Sequence, residues 1–187
     1  MLTRTFSFIG GDTGAWRVVN SEVIVGQALK TAKRLAIVAG SGIPAEPRAA
    51  WVLRGITSNE RYVDREERRQ IVAELLDLRR PEATCAALIP IRKNEAWWAL
   101  TQEERLSIFK EQSHHTKIGL DHYPTLARRL HHCRDLSENE PFDFITWFEY
   151  APSDEMRFNN LLAALRAIPE WQYVEREVDI RLEREEA

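Results

Sequence analysis

Cysteine is scarce in this chain of 187 residues, which contains only Cys85 and Cys133. The two lie far apart and form no Cys-x-x-Cys motif, so neither a disulfide framework nor a thiolate metal site is supported. We expect two buried free thiols. The five histidines also lack the His-x-x-x-His spacing of a helical zinc site, and the sequence gives little support to a zinc or iron triad.

Long apolar runs and an excess of positive charge are also missing. No stretch approaches the roughly 18 apolar residues that a membrane helix requires, and residues 1–11 lack the apolar core of a secretory signal. Lys plus Arg number 26 against 29 Asp plus Glu, a formal net charge of -3, which argues against a strongly basic nucleic-acid surface. The sequence therefore predicts a cytoplasmic protein that binds neither membranes nor nucleic acid, while a small anion could still bind locally.

The composition itself is that of a globular protein, with 44% hydrophobic and 29% charged residues, and the length suffices for one sizeable core. Periodicity is clearest in the second half, where Thr101 and Glu104 form a capping box that opens a helix carrying Leu106 and Phe109 toward the core. From residue 85 to 183 the predicted elements are strand, helix, strand, strand, helix and strand, which is the ferredoxin-like order. Their ranges are 85–91, 101–115, 126–133, 142–150, 153–168 and 174–182.

The first half predicts elements of the same kind. Alternating side chains predict a strand over 2–8 that ends in a glycine turn at 10–14, and 23–38 reads as a helix followed by a strand. Residues 51–58 form a further strand, and Asp64 with Glu67 opens a helix. We therefore expect an α+β fold of two ferredoxin-like units, antiparallel sheets flanked by helices, with a trimmed N-terminal unit at 1–84 and a second unit at 85–187.

Histidine supplies the first candidate functional side chains. The pair His114 and His115 closes a predicted helix, where a cation also suits the negative end of the helix dipole, so metal ligation and a purely structural role both stay open. His131 and His132 point to opposite faces of a predicted strand and cannot chelate one metal together. We interpret this second pair as packing or surface residues.

Tryptophan is abundant, with six residues in the chain. The pair Trp97 and Trp98 beside Lys93 suits a flat aromatic cofactor, because a heme ring needs large apolar walls and cationic partners for its propionates. Plain packing in a core or a dimer interface explains the same residues equally well.

Several spaced motifs, in one order, resemble the chlorite dismutase family over about the last hundred residues. They are IPIRKNEAWW at 89–98, TQEER at 101–105, SHH at 113–115, LAR at 126–128 and FDFITWFEY at 142–150. The chain length, GGD at 10–12 and WVLRG at 51–55 resemble the short, dimeric branch of that family, whose N-terminal half is trimmed. Such a series is far more specific than any one motif.

The resemblance implies a heme b enzyme that converts chlorite to chloride and dioxygen and forms a homodimer. It also implies that His115 is the proximal heme ligand, because the family's distal arginine lies thirteen residues beyond the ligand and Arg128 meets that spacing. The same count from His114 reaches Ala127. A guanidinium about 4 Å from a chlorite anion contributes on the order of 4 kcal/mol at an effective dielectric near 20, before desolvation.

Further residues take their roles from the same resemblance. Glu170 matches the family's proximal carboxylate, which accepts a hydrogen bond from the axial imidazole and so fixes its tautomer and makes it more electron-donating. The residues that match those around the heme and its propionates are Lys93, Trp97 and Trp98. Without the resemblance, Glu170 would read as a solvated residue after Pro169.

Two alternatives stay open. The same superfamily contains coproheme decarboxylases, which carry a tyrosine where this sequence has Ile89 and a glutamine where it has Arg128. Both differences disfavour decarboxylation. A weak peroxidase with the same fold and heme is the related alternative. The other alternative, from a different class, is a dimeric ferredoxin-like protein that uses its aromatic cleft for binding or sensing without turnover.

Overall fold

The computed structural model describes residues 4–40, 48–58, 63, 65–74, 76–122 and 125–184. Asp64, the predicted partner of Glu67 in a capping box, lies outside these ranges. The strands are β1 (Thr5–Gly11), β2 (Trp16–Val25), β3 (Arg34–Ala39), β4 (Trp51–Thr57), β5 (Cys85–Lys93), β6 (Ala127–His132), β7 (Phe144–Tyr150) and β8 (Val174–Arg184).

The helices lie mostly in the second half of the chain. They are α1 (Arg65–Glu74), α2 (Glu95–Ala99), α3 (Gln102–Ser107), α4 (His115–Leu120) and α5 (Glu155–Arg166), with a π-helix at Ile108–Gln112 and 3₁₀ turns at Pro152–Asp154 and Pro169–Tyr173. Among the described residues, no helix has the length and apolar character needed to cross a bilayer.

The eight strands of the described residues pair into one closed antiparallel sheet. Their order is β1-β3-β2-β8-β5-β7-β6-β4, and β4 pairs back onto β1. Each half of the chain contributes four neighbouring strands, β4-β1-β3-β2 from the first and β8-β5-β7-β6 from the second. The two halves meet where β2 pairs with β8 and where β4 pairs with β6, so the sheet has no free edge there.

Side chains alternate between the inside and the outside of this closed sheet, as successive strand residues must. The interior is a core of large residues that includes Phe8, Trp16, Leu53, Trp147 and Ile180. Outside the second half lies a separate core between the sheet and α5. This helix buries Phe158, Leu161, Leu162 and Leu165, which recur at helical spacing and form one stripe against Phe148 and Tyr150 of β7.

Most of the predicted elements are confirmed, including the strands at 51–58, 85–91, 126–133, 142–150 and 174–182 and the capping box of Thr101 and Glu104. The helix predicted within 23–38 is wrong, since β2 continues to Val25 and β3 begins at Arg34. β2 is held extended by its long pairing with β8, and Gly26 turns the chain away at φ 78°. Tertiary pairing has here decided a segment whose local pattern was ambiguous.

The predicted glycine turn at 10–14 is wrong in its first residues, because Gly10 and Gly11 belong to β1. Gly10 is required there by a close approach, since a Cβ on it would lie 2.2 Å from the Trp51 indole. The predicted burial of the cysteines is confirmed for Cys133, while Cys85 is partly exposed, and both are free thiols.

Candidate active site

A cavity that opens to solvent lies between the outer face of the second half of the sheet and the helices that cover it. Most of its walls are apolar. The sheet contributes Ile89, Ile91, Leu130, Phe144, Thr146 and Phe148, and the helices contribute Ile71, Phe109, Leu161, Leu162 and Leu165. The lining residues with charged side chains, hydroxyl groups or an imidazole are Lys93, His115, Thr116, Arg128, Thr146 and Glu170. Apolar walls with a few converging polar groups are typical of a cofactor site.

The backbone around the adjacent histidines separates their side chains. His114 takes the left-handed conformation at φ 49° and is exposed, whereas His115 begins α4 and lines the cavity. The predicted helix over 101–115 therefore ends early, at Gln112 of the π-helix, and the helix-dipole explanation for a cation at its end does not apply to His115. Of the two neighbours, only His115 reaches the site.

Glu170 connects His115 to Lys93 beneath the cavity. One carboxylate oxygen of Glu170 lies 2.7 Å from Nδ1 of His115, and the other accepts a 2.7 Å hydrogen bond from Nζ of Lys93. Lys93 also donates to the Glu170 carbonyl at 3.2 Å, and the Glu170 N–H donates to Ser113 Oγ at 3.1 Å. The carboxylate is buried, so this cation is its charge partner as well as its hydrogen-bond donor.

The charge state of this pair follows from burial and contact together. Burial alone would raise the pKa of Glu170, but the charges and hydrogen bonds of His115 and Lys93 outweigh it and hold that pKa at about 2. Burial disfavours the charged form of Lys93 as well and therefore lowers its pKa, while the charge and hydrogen bond of Glu170 act in the opposite direction. Glu170 is therefore an ionised acceptor at neutral pH.

An ionised Glu170 fixes the tautomer of His115. Because the carboxylate can only accept, Nδ1 must carry a proton and donate it, so in the neutral form of the imidazole the lone pair lies on Nε2. Nε2 makes no hydrogen bond to the part of the chain that the structure describes. This arrangement is that of a metal-ligating imidazole held by a carboxylate behind it.

Arg128 enters the cavity from β6. Its strand neighbour across the sheet is Phe148 of β7, and both line the cavity together with Leu130. Arg129 takes the opposite face, where its guanidinium lies 4.6 Å from the centre of the Phe6 ring inside the closed sheet. The predicted alternation along this strand is thus confirmed for these residues, and it assigns Arg128 to the same cavity as His115.

The two adjacent tryptophans have different surroundings. Trp97 is 1% exposed and lines the cavity. The centre of its ring lies 4.6 Å from Lys93 Nζ, and its indole N–H has no hydrogen-bond partner among the described residues. Trp98 is not among the lining residues. Its indole N–H donates to Asp143 at 3.3 Å, and its ring stacks on Phe144, which does line the cavity.

Several contributors to the site were not assigned to it from the sequence. Ser113 orients the backbone of Glu170, and Asp143 accepts a 2.7 Å hydrogen bond from the Lys93 N–H as well as that of Trp98. Phe109 and Trp171 lie beside the His115 imidazole. These partners are distant in sequence, so no local spacing relates them, although the SHH motif that contains Ser113 could have indicated that residue.

The fold and the cavity define an α+β protein in which a closed antiparallel sheet carries an apolar site with one imidazole, its buried carboxylate and one guanidinium. Residues 39–184 match the chlorite dismutase family. The chain therefore belongs to the chlorite dismutase family.

Individual relatives agree with this assignment. The chain is 49% identical to a dimeric chlorite dismutase of known structure from Nitrobacter winogradskyi, over 96% of this chain and 99% of that one, with a TM-score of 0.87. A chlorite dismutase from Ideonella dechloratans is 41% identical over 88 residues, which span 47% of this chain and 28% of the relative. A chlorite dismutase from Candidatus Nitrospira defluvii, solved with imidazole, shares the fold at 20% identity, with a TM-score of 0.63 over 95% of this chain and 89% of that one.

Proposed function

We propose that the chain is a heme b enzyme that converts chlorite to chloride and dioxygen. The observation that carries this proposal is that one apolar cavity receives both His115, with Nε2 available as a ligand, and Arg128. The family and the 49% identity to a dimeric chlorite dismutase support the same reaction.

The residues of the cavity fit heme b. The walls are wide and apolar, the imidazole presents an unprotonated Nε2, and two buried polar atoms, Trp97 Nε1 and Thr116 Oγ1, lack a hydrogen-bond partner among the described residues. An unpaired indole N–H in a cavity wall suits a carboxylate such as a propionate. When bound, heme b supplies an iron centre that can accept an oxygen atom and return it.

We assign His115 as the ligand to the iron, with Lys93, Trp97 and Trp98 around the cofactor. Trp97 acts directly from the wall. Lys93 acts through Glu170, since its ammonium group already pairs with that carboxylate, and Trp98 acts through the Phe144 ring on which it stacks. Glu170, ionised behind Nδ1, increases the electron donation of the imidazole.

Arg128 binds the substrate. A guanidinium about 4 Å from a small anion contributes on the order of 4 kcal/mol at an effective dielectric near 20, which corresponds to about a thousandfold in binding before desolvation. The reaction balances without a further reagent, because one chlorite provides one chloride and both atoms of dioxygen. The apolar walls exclude water, and Arg128 retains the chlorine oxyanion until the oxygen–oxygen bond has formed.

Decarboxylation is disfavoured by the cavity wall. Ile89 is almost fully buried and lines the cavity, and no tyrosine occurs among the described residues that line it. The oxidisable phenol on which the decarboxylases of this superfamily rely is therefore missing at the matching position.

We also propose that the protein is a homodimer, supported by the dimeric relative, and that it consists of two ferredoxin-like halves, 1–84 and 85–187. The identical strand orders, β4-β1-β3-β2 and β8-β5-β7-β6, support this division.

The test is dioxygen evolution from chlorite by the heme-loaded protein, measured with an oxygen electrode. Arg128→Ala should evolve dioxygen more slowly and lose its heme absorption faster during turnover, because hypochlorite escapes; Arg128→Lys should retain part of both properties. Arg157→Ala, which removes an exposed guanidinium of α5, is the matched control. Equal rates and equal bleaching in wild type and Arg128→Ala would remove Arg128 from the mechanism.

A further inference from the structure

The segment before His115 contains an uncommon element. Residues Ile108–Gln112 form a π-helix, closed by a 3.0 Å hydrogen bond from the Ser113 N–H to the Ile108 carbonyl, directly after α3 with its capping box. Single π-helical turns are rare and frequently occur at functional sites. Phe109 belongs to this turn and lines the cavity.

The Phe109 ring lies flat against the His115 imidazole. The ring centroids are 4.3 Å apart and the planes differ by 17°, a shorter approach than the usual aromatic pair. Trp171 is the second aromatic neighbour of the imidazole, at 6.4 Å and 28°. Its own indole N–H donates to Glu177 at 2.8 Å, which fixes that ring in turn.

Hydrogen bond and ring contact restrict the imidazole in different ways. The 2.7 Å contact with Glu170 fixes the direction of Nδ1–H, but the ring can still swing about that direction. A parallel ring at 4.3 Å removes this remaining freedom, because tilting the imidazole would drive its atoms into the Phe109 face. Glu170 and Phe109 together define one orientation of the ring plane.

We infer that Phe109 is a positioning residue that sets the plane of the axial imidazole, an inference that rests on the proposed role of His115 as heme ligand. The orientation of an axial imidazole plane governs the overlap of its π orbitals with the iron d orbitals. A single fixed plane therefore gives one electronic environment at the metal, and a loosened plane gives several.

The test is electron paramagnetic resonance of the ferric, heme-loaded protein. Wild type should show one well-defined signal, Phe109→Leu should show a broader and more heterogeneous signal at equal Soret intensity, and Phe109→Tyr, which keeps the ring, should restore the wild-type line. Turnover should fall by about tenfold in Phe109→Leu, the lower end of the range for residues that orient a metal ligand. Leu106→Ala, an exposed position of α3, is the matched control.

Two other outcomes are decisive. An unchanged signal in a folded Phe109→Leu that still binds heme would overturn the inference and leave the proposed function intact. A wild-type protein that takes up no heme would overturn both. If Phe109→Leu does not fold by circular dichroism, Phe109→Met, whose flexible side chain fills irregular gaps, serves in its place: a heterogeneous signal supports the inference and an unchanged one contradicts it.

Discussion

Two adjacent histidines, one exposed and one in a cavity, show how much a single backbone angle decides at the scale of residues. The left-handed His114 ends one helical segment and lets α4 begin at His115. Neither the residue types nor the helix-dipole argument separates the two neighbours. The resemblance to the family did so through the spacing to Arg128, and the structure brings those two residues to one cavity.

Exchange of each histidine tests this difference. His115→Ala should lose heme or bind it weakly, because the cavity then offers no imidazole nitrogen, whereas His114→Ala should bind heme as wild type does. Hemin titration followed by Soret absorption measures both. The opposite pattern would assign the ligand to His114.

Buried His131 makes the apoprotein sensitive to acid. Its ring packs edge-on against Phe6 and Phe8 inside the closed sheet, and its Nδ1 lies 3.3 Å from the Ile145 carbonyl. Burial lowers the pKa of His131 to about 4, with the Arg129 charge acting in the same direction and the Ile145 contact opposing both. The unfolded chain, with an ordinary pKa of 6.5, therefore takes up this proton first as the pH falls.

The sign of the effect is a loss of stability below pH 6.5 that is complete near pH 4, about 3 kcal/mol in all. Urea unfolding of the apoprotein at pH 7.5 and pH 5 should show a larger loss in wild type than in His131→Phe, by about 2 kcal/mol at pH 5. Parallel losses in the two proteins would show that His131 does not titrate in this way. Glu170 acts in a lower window: its stabilisation is present above pH 4.5 and is lost as the pH falls toward 2.

Among the elements, the pairing of β1 with β4 depends on one glycine. Gly10 lies opposite Trp51 in the register, and the indole occupies the space that a side chain at 10 would need; its N–H donates to the Lys30 carbonyl at 3.0 Å. The Trp51 ring thus ties β1, β4 and the connection before β3 together.

Gly10→Ala should lower the free energy of unfolding by about 1–3 kcal/mol, the usual cost of overpacking, because the new methyl group meets the indole at 2.2 Å. The neighbouring Gly11→Ala is the control, since its Cβ would meet nothing closer than 3.4 Å. Denaturant unfolding compares the two variants. Equal stabilities would mean that Trp51 moves aside at little cost.

Elements with a local cause could be predicted from the sequence, and elements with a distant cause could not. α3 begins at its own capping box and α5 buries its own periodic stripe. The extended β2 depends on its pairing with β8, and no local sequence pattern predicts the π-helix at Ile108–Gln112. Leu106, expected to point toward the core, is 40% exposed, while Phe109 from the same pattern does line the cavity.

The site shows the same division between local and distant causes. Alternation along β6 predicts that Arg128 and Leu130 share a face, and both line the cavity. The ion pair of Lys93 and Glu170 joins residues 77 positions apart, and no periodicity relates them. Only the resemblance to a family indicated both residues, and it did not indicate that they pair with each other.

At the scale of the whole molecule, the two halves of the chain are joined by the pairing of β2 with β8 and of β4 with β6, and they contribute unequally to the cavity. The described lining residues come from the second half except Val63 and Ile71, so the first half completes the sheet and one side of the cavity. The aromatic strand β7, which supplies three lining residues, is central to the sheet of the second half.

The proposed dimer is a prediction at this scale. Sedimentation equilibrium of the heme-loaded protein should give twice the chain mass of 21.7 kDa, as expected from the dimeric relative. A single species at the chain mass, or a higher assembly, would contradict the proposal without affecting the cavity.

The central claim is that both oxygen atoms of the product come from chlorite held between His115 and Arg128, and none from water. The most direct measurement is mass spectrometry of the dioxygen evolved when the heme-loaded protein receives unlabelled chlorite in ¹⁸O-labelled water. The account predicts unlabelled dioxygen in an amount equal to the chloride formed. Dioxygen that carries ¹⁸O, or chlorite consumption by a protein with a full Soret band and no dioxygen, would contradict it.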